Sequence, residues 1–265
     1  MLDLRTVGRE APDAWSPMSF LRSILIFAPL IMLSTIVMAS ISVACSLLDS
    51  SGRRQHAVSR AWAKMLLAIG GMRVRLEGAG RLDPGRNYLF AGNHLSLMDT
   101  PVLLASIPQQ FLFLVNAKYV RLPFLGWHLR RSGHLAVEPD NVKASLRVMT
   151  EAAGAARDRG LSLLLFPEGS RSRGGLQEFK AGAAYIAIKS GVPVVPFAIR
   201  GTREVLPVGS VHLRPGAVEL IFGEPIPVEG RTVKDREEFT RLMRERVAEL
   251  MAGGARQSAA GQTVS

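Results

Sequence analysis

The 265-residue chain has a single cysteine, Cys45, few aromatic residues (6%) and a deficit of acid, with 22 Asp and Glu against 33 Lys and Arg. One cysteine excludes an intramolecular disulfide and a cysteine-based zinc cluster. Scarce aromatics, and basic runs no longer than two residues before the spaced Arg171 and Arg173, argue against a nucleic-acid partner. The chain has no internal repeat and no ligand-spaced cluster of histidines and carboxylates, which disfavours a metal-dependent phosphohydrolase. What the acid deficit leaves is a formal charge of +11. That balance suits anionic lipid headgroups or an acidic carrier protein.

Charge is also missing from one continuous stretch, Ser23 to Leu48. A bilayer core takes roughly 20 helical residues, so this run is long enough to cross it. A cleaved signal peptide has a shorter apolar core, usually about 7–15 residues. Pro29 and several serines weaken the helix, but membrane segments tolerate them. Arg53, Arg54, Arg60 and Lys64 follow the run and place the bulk of the chain on the cytoplasmic side of the inner membrane. A monotopic hairpin in one leaflet is the rival. Arg60 to Ile69 has the pattern of an interfacial helix, and equally that of a core-packing one.

Beyond Gly70-Gly71 the periodicity changes. Strands are expected near 72–76, 88–91, 111–115, 161–166, 192–199 and 217–222, with helices near 100–107, 141–159 and 233–251. Alternation of strand and helix implies an α/β fold with a mixed, largely parallel central sheet flanked by helices, preceded by a membrane-associated helical segment. The expected division is 1–70 for anchoring, 71–251 for the chemistry, and a disordered tail from 252 to 265.

Two segments carry chemistry. In Asn93-His94-Leu95-Ser96-Leu97-Met98-Asp99 an imidazole and a carboxylate stand five residues apart, between a strand and a helix. On one regular helix they would face different ways. With His94 in the loop and Asp99 at the helix start they can meet, leaving His94 as a general base held by Asp99. The plainer alternative is capping, since Ser96 to Asp99 matches a capping box. The second segment, Phe166-Pro167-Glu168-Gly169-Ser170-Arg171, opens from a buried strand into a loop suited to a phosphate. Glu168 is placed to pair with an arginine there.

Together these segments resemble the glycerolipid acyltransferases, specifically the bacterial 1-acyl-glycerol-3-phosphate acyltransferases. Asn93-His94 and Asp99 match their first motif. Phe166 to Arg171 matches F-P-E-G-T-R, with Ser170 for threonine, and Val192-Pro193-Val194-Val195-Pro196 resembles the fourth motif. Lys118, Pro123-Phe124-Leu125-Gly126-Trp127 and Phe179-Lys180-Ala181-Gly182 match further elements, so the resemblance covers about residues 72 to 228. It implies His94 and Asp99 as catalytic residues, and Lys118, Glu168, Gly169, Ser170 and Arg171 as substrate-binding residues. It implies no metal and no cofactor. The acceptor would be a lysophospholipid, the donor acyl-CoA or acyl-carrier protein, and the surroundings anionic membrane lipid. Pro139 departs from the pattern, because it follows Glu138 where the family has an arginine for the acceptor's phosphate. Arg130, Arg131, Lys143 or Lys118 would have to replace it, or the acceptor is another lysolipid. A non-enzymatic basic membrane-binding protein is the remaining class.

Overall fold

The computed structural model describes residues 17–138 and 141–260. Seven strands form one sheet: β1 (Met72–Glu77), β2 (Leu89–Gly92), β3 (Phe111–Asn116), β4 (Leu135–Val137), β5 (Ser162–Leu165), β6 (Val194–Arg200) and β7 (Gly216–Phe222). Their order across the sheet is β1-β7-β6-β2-β5-β3-β4. Every neighbouring pair is parallel except β6 with β7. The α/β class and the mixed, largely parallel sheet read from the sequence are what is found.

Two apolar layers sandwich the sheet, and the pleat sorts side chains between them. Phe90 joins Phe111, Phe113, Val102 and Leu103 on one face, while Leu89 and Ala91 join Leu112, Ala152, Ile186 and Phe239 on the other. The first layer is closed by α3 (Arg53–Ile69) and α4 (Asp99–Ser106). The second is closed by α7 (Val142–Asp158), α8 (Gly182–Ser190) and α10 (Arg236–Ala260). Two-sided burial explains why the central strands are apolar runs without alternation.

Chain order places the site. From β2 the chain crosses one face through α4 to β3, and from β5 it crosses the other through α8 to β6. β2 and β5 are neighbours, so their carboxyl ends open where the winding reverses, as at ligand sites in open parallel sheets.

At the amino end, α1 (Pro17–Arg22), a π-helical turn (Ser23–Phe27) and α2 (Ala28–Cys45) run on as a helix. The wide turn lies directly before Pro29, whose ring crowds the carbonyl four residues back; there the Ala28 N–H reaches Ser23 O instead. From Met18 to Cys45 the helix is long and apolar enough to cross a membrane. Its outer face exposes Leu25, Ile26, Leu30, Met32, Leu33, Val37 and Ile41. Its inner face carries Ser23, Ser34, Ala39 and Ser42, all buried. Ser34 and Thr35 hydroxyls donate to Ile31 O at 2.9 and 2.7 Å, so these polar groups need no water.

Both ends of this helix are held on the globular part. Ser23 Oγ donates to Leu213 O at 3.2 Å, and Ser42 Oγ lies 2.7 Å from His128 Nδ1. α3 continues from a short turn, buries Ala63, Leu66 and Leu67, and packs on α4, which is the core-packing reading of that amphipathic segment. Several elements differ from expectation. The short helices α5 (Ala117–Val120), α6 (Leu125–Arg131) and α9 (Thr202–Val205), the helix α8 and the three-residue β4 were not marked as elements in the sequence, and α10 runs to Ala260 rather than giving way to a disordered tail at 252. Residues 261–265 lie outside the described residues.

Candidate active site

The loop after β2 is fixed before its chemistry begins. Gly92 ends the strand against β6, and a Cβ there would lie 2.3 Å from Phe197 O. Asn93 is buried and bonds both ways to Ile199: its Nδ2 donates to Ile199 O and its Oδ1 accepts from Ile199 N, each at 2.8 Å. The next residue, His94, is thereby set at the carboxyl end of the sheet.

Four contacts orient His94. Its N–H donates to Glu168 Oε1 at 2.7 Å, its carbonyl accepts from Ser172 N at 2.8 Å, and its ring stacks on Phe166 with centroids 3.8 Å apart. Its Nδ1 lies 2.7 Å from Asp99 Oδ2. The same oxygen accepts from Leu95 N at 2.6 Å and Ser96 N at 2.9 Å. Asp99 is fully buried, and its Oδ1 has no partner among the described residues. The carboxylate thus folds the loop back onto itself and holds Nδ1 as a proton donor, which leaves Nε2 for the cavity. The capping alternative is present as well: Asp99 Oδ2 accepts from Ser96 N while Ser96 Oγ accepts from Met98 N at 3.2 Å, so one carboxylate both closes the turn before α4 and holds the imidazole.

Glu168 departs from expectation. Among the described residues no arginine pairs with it; Oε1 accepts from His94 N and Oε2 from Gln177 N at 3.0 Å. Burial pushes its carboxyl up from the usual range, and those two N–H groups pull the other way. Its place is a strut between the two loops. Arg203 and Arg244 brace the second loop from outside. Arg203 Nη2 donates to Ser172 O and Gly174 O at 3.2 and 2.6 Å, and Arg244 Nε donates to Gln177 O at 3.0 Å. Neither was singled out in the sequence, because the loop contacts they make are to backbone carbonyls with no side-chain signature; Arg244 also pairs with Glu178 at 3.2 Å.

An apolar cavity of about 870 Å³ opens at His94. Gly169, Ser170, Arg171 and Lys118 line it together with His94, whereas Glu168 stands behind the wall. Arg171 forms no ion pair among the described residues. Gly169 has φ +73°, and a Cβ there would lie 3.0 Å from Lys180 Nζ. Lys180 thereby adds a cation at the mouth; only its neighbourhood, Phe179 to Gly182, was visible as a pattern. Pro139 lies outside the described residues. Among the described residues no group of three or more histidines, cysteines and carboxylates is placed to hold a metal ion.

The family model for acyltransferases matches residues 73–200, the span that holds both loops. Residues 73–200 of the chain thus carry an acyltransferase domain. It is 28% identical over 201 residues to a 1-acyl-sn-glycerol-3-phosphate acyltransferase of Escherichia coli strain K12, covering 74% of this chain and 82% of that one. It is 25% identical over 182 residues to the enzyme of the same name from Limnanthes douglasii, covering 68% of this chain. The match spans 64% of the plant protein, less than two thirds of its length. The crystal structure of the 1-acyl-sn-glycerophosphate acyltransferase PlsC from Thermotoga maritima superposes with a TM-score of 0.74 at 25% identity, covering 89% of this chain and 98% of that one. The Thermotoga maritima chain thus shares this fold along nearly its whole length.

Proposed function

We propose that this acyltransferase-domain protein moves a fatty acyl group from an acyl-CoA or acyl-carrier-protein thioester to the free hydroxyl of 1-acyl-glycerol-3-phosphate, giving phosphatidic acid. The observation that carries the reading is the 2.7 Å contact between His94 Nδ1 and Asp99 Oδ2 at the mouth of an apolar cavity lined by Ser170 and Arg171. His94 Nε2 takes the proton of the acceptor hydroxyl as its oxygen attacks the thioester carbonyl. Asp99 stabilises the imidazolium that forms. Collapse of the tetrahedral adduct breaks the C–S bond, and the imidazolium returns its proton to the departing thiolate. Arg171, Ser170, Gly169 and Lys118 receive the acceptor's phosphate, with Glu168 setting the distance between that loop and the base. The names of the bacterial and plant relatives support this choice of acceptor.

The apolar helix supports membrane association, since acceptor and product both partition into bilayers. In this reading residues 1–70 anchor the chain, residues 71–251 carry the chemistry, and the site faces the cytoplasm at the inner membrane. The excess of cations draws the protein to anionic lipid, each contributing about 1 kcal/mol near the surface. The bonds from Ser23 and Ser42 to the globular part favour a helix lying along one leaflet over one standing across the bilayer. Acyl transfer from labelled donors to a panel of lysolipids, with His94→Ala in parallel, tests the function. Activity on lysophosphatidic acid that disappears in the variant supports the reading. Folded protein inactive with both donors refutes it.

A further inference from the structure

The cavity lining is not wholly apolar. Ser59, His128 and His134 line it together with Ala39, Trp62, Phe113 and Leu129. His128 is spoken for on both nitrogens. Ser59 Oγ donates to Gln55 O at 2.9 Å, so it must accept from His128 Nε2 at 3.3 Å. That leaves His128 Nδ1 as the acceptor for the Ser42 hydroxyl at 2.7 Å. This histidine has nothing left to offer a ligand.

His134 is different. Its Nδ1 accepts from Phe113 N at 3.0 Å. A neutral ring so engaged carries its proton on Nε2, and burial beside His128 and His56 holds the ring neutral, its pKa lowered to about 3. Nε2 has no hydrogen bond among the described residues, while the ring keeps some exposed surface in the cavity wall. One N–H donor with no acceptor among the described residues, His134 Nε2, therefore stands in the wall of an otherwise greasy cavity. A plain alkyl chain reaching it displaces water and leaves it unpaired, which a buried donor tolerates poorly. A site that presents a donor discriminates against the analogue that lacks the acceptor.

We propose that the cavity selects donor chains bearing an oxygen, a hydroxyl in the distal part of the acyl group, which accepts from His134 Nε2–H. The inference rests on the proposed transferase reading, in which the thioester carbonyl sits at His94. His134 is bonded to Phe113, three residues and so roughly 10 Å along β3 below Asn116 at the rim. The first carbons of the chain cannot reach it. The acceptor's own chain begins on another glycerol carbon and already has a bilayer to lie in.

The test compares kcat/KM of the full-length protein for acyl-CoA donors of one length, unsubstituted or hydroxylated at successive positions, with lysophosphatidic acid as acceptor. The proposal expects one distal isomer to be used about three- to tenfold better than the plain chain, the yield of one buried hydrogen bond. His134→Asn keeps an acceptor for Phe113 N and removes the Nε2 donor, so the preference should fall to near one. His134→Phe, monitored for folding by its melting curve, should do the same. No preference in the wild type, or one that survives in both variants, overturns the proposal. Wild type that transfers no chain at all overturns the transferase reading first, and the inference with it.

Discussion

Replacing Asp99 with asparagine separates what its shape does from what its charge does. Oδ2 receives the His94, Leu95 and Ser96 N–H groups, whereas Oδ1 has no partner among the described residues. An asparagine oxygen can therefore take the three donors, with its NH2 pointing where Oδ1 was. Loop and tautomer survive, and the lost quantity is the attraction between carboxylate and imidazolium. At about 4 Å between charge centres and an effective dielectric of about 20, that attraction is about 4 kcal/mol. A neutral hydrogen bond returns about 1 kcal/mol of it. The remaining 3 kcal/mol or so corresponds to about a 10²-fold fall in kcat. Asp99→Ala should fall further, because it also strands the Leu95 and Ser96 N–H groups. Initial rates at saturating donor and acceptor, with circular dichroism to confirm folding, decide the matter. Asp99→Asn within threefold of wild type would refute an electrostatic role for this carboxylate.

Glu168→Gln should lower kcat more than it raises KM, because its amide must turn an NH2 toward the N–H of His94 or Gln177. Arg171→Ala should chiefly raise the acceptor KM, and the reverse pattern would exchange these roles. Acid should loosen the region where His56, His128 and His134 are buried. Burial, reinforced by Arg60 at His56 and by the neighbouring histidines at His134, lowers their pKa values to about 4, 4 and 3. The unfolded chain takes up protons near 6.5 and the folded one does not, so stability is full above pH 6.5. It falls by up to about 1.4 kcal/mol per pH unit per histidine as pH drops toward 4. Denaturant titrations at pH 7 and pH 5 check the sign, and a protein more stable at pH 5 contradicts it. Gly92→Ala should cost about 3 kcal/mol by forcing its methyl into Phe197, measured as a lowered denaturation midpoint.

The apolar strands around Leu89–Gly92 and Ser162–Leu165 were legible because two-sided burial leaves an uninterrupted run. α8 was not, since Gly182–Ser190 is apolar on nearly every side and shows no stripe of period 3.6. α6 begins after Phe124, a non-glycine residue with φ 58°, and no sequence rule places a helix start there. The small and polar residues from Ala252 suggested a disordered tail, yet α10 runs on to Ala260, and the alanines in that stretch are strong helix formers. In the site, the spacing of His94 and Asp99 is informative only once the chain is known to leave a strand before one and enter a helix at the other. Glu168 was visible as a residue and misread as a partner for arginine. Its real partners are amide N–H groups, which every residue has and no sequence displays.

That strut has a mechanical consequence. Glu168 grips the backbone of His94 with one oxygen and that of Gln177 with the other, and Ser172 returns a bond to His94 from the same loop. On the proposed reading, in which the second loop receives the acceptor's phosphate, base and loop are geared to one another. A substitution that shifts the loop should then shift the backbone of His94 with it, even where the altered side chain touches neither the imidazole nor the carboxylate that holds it.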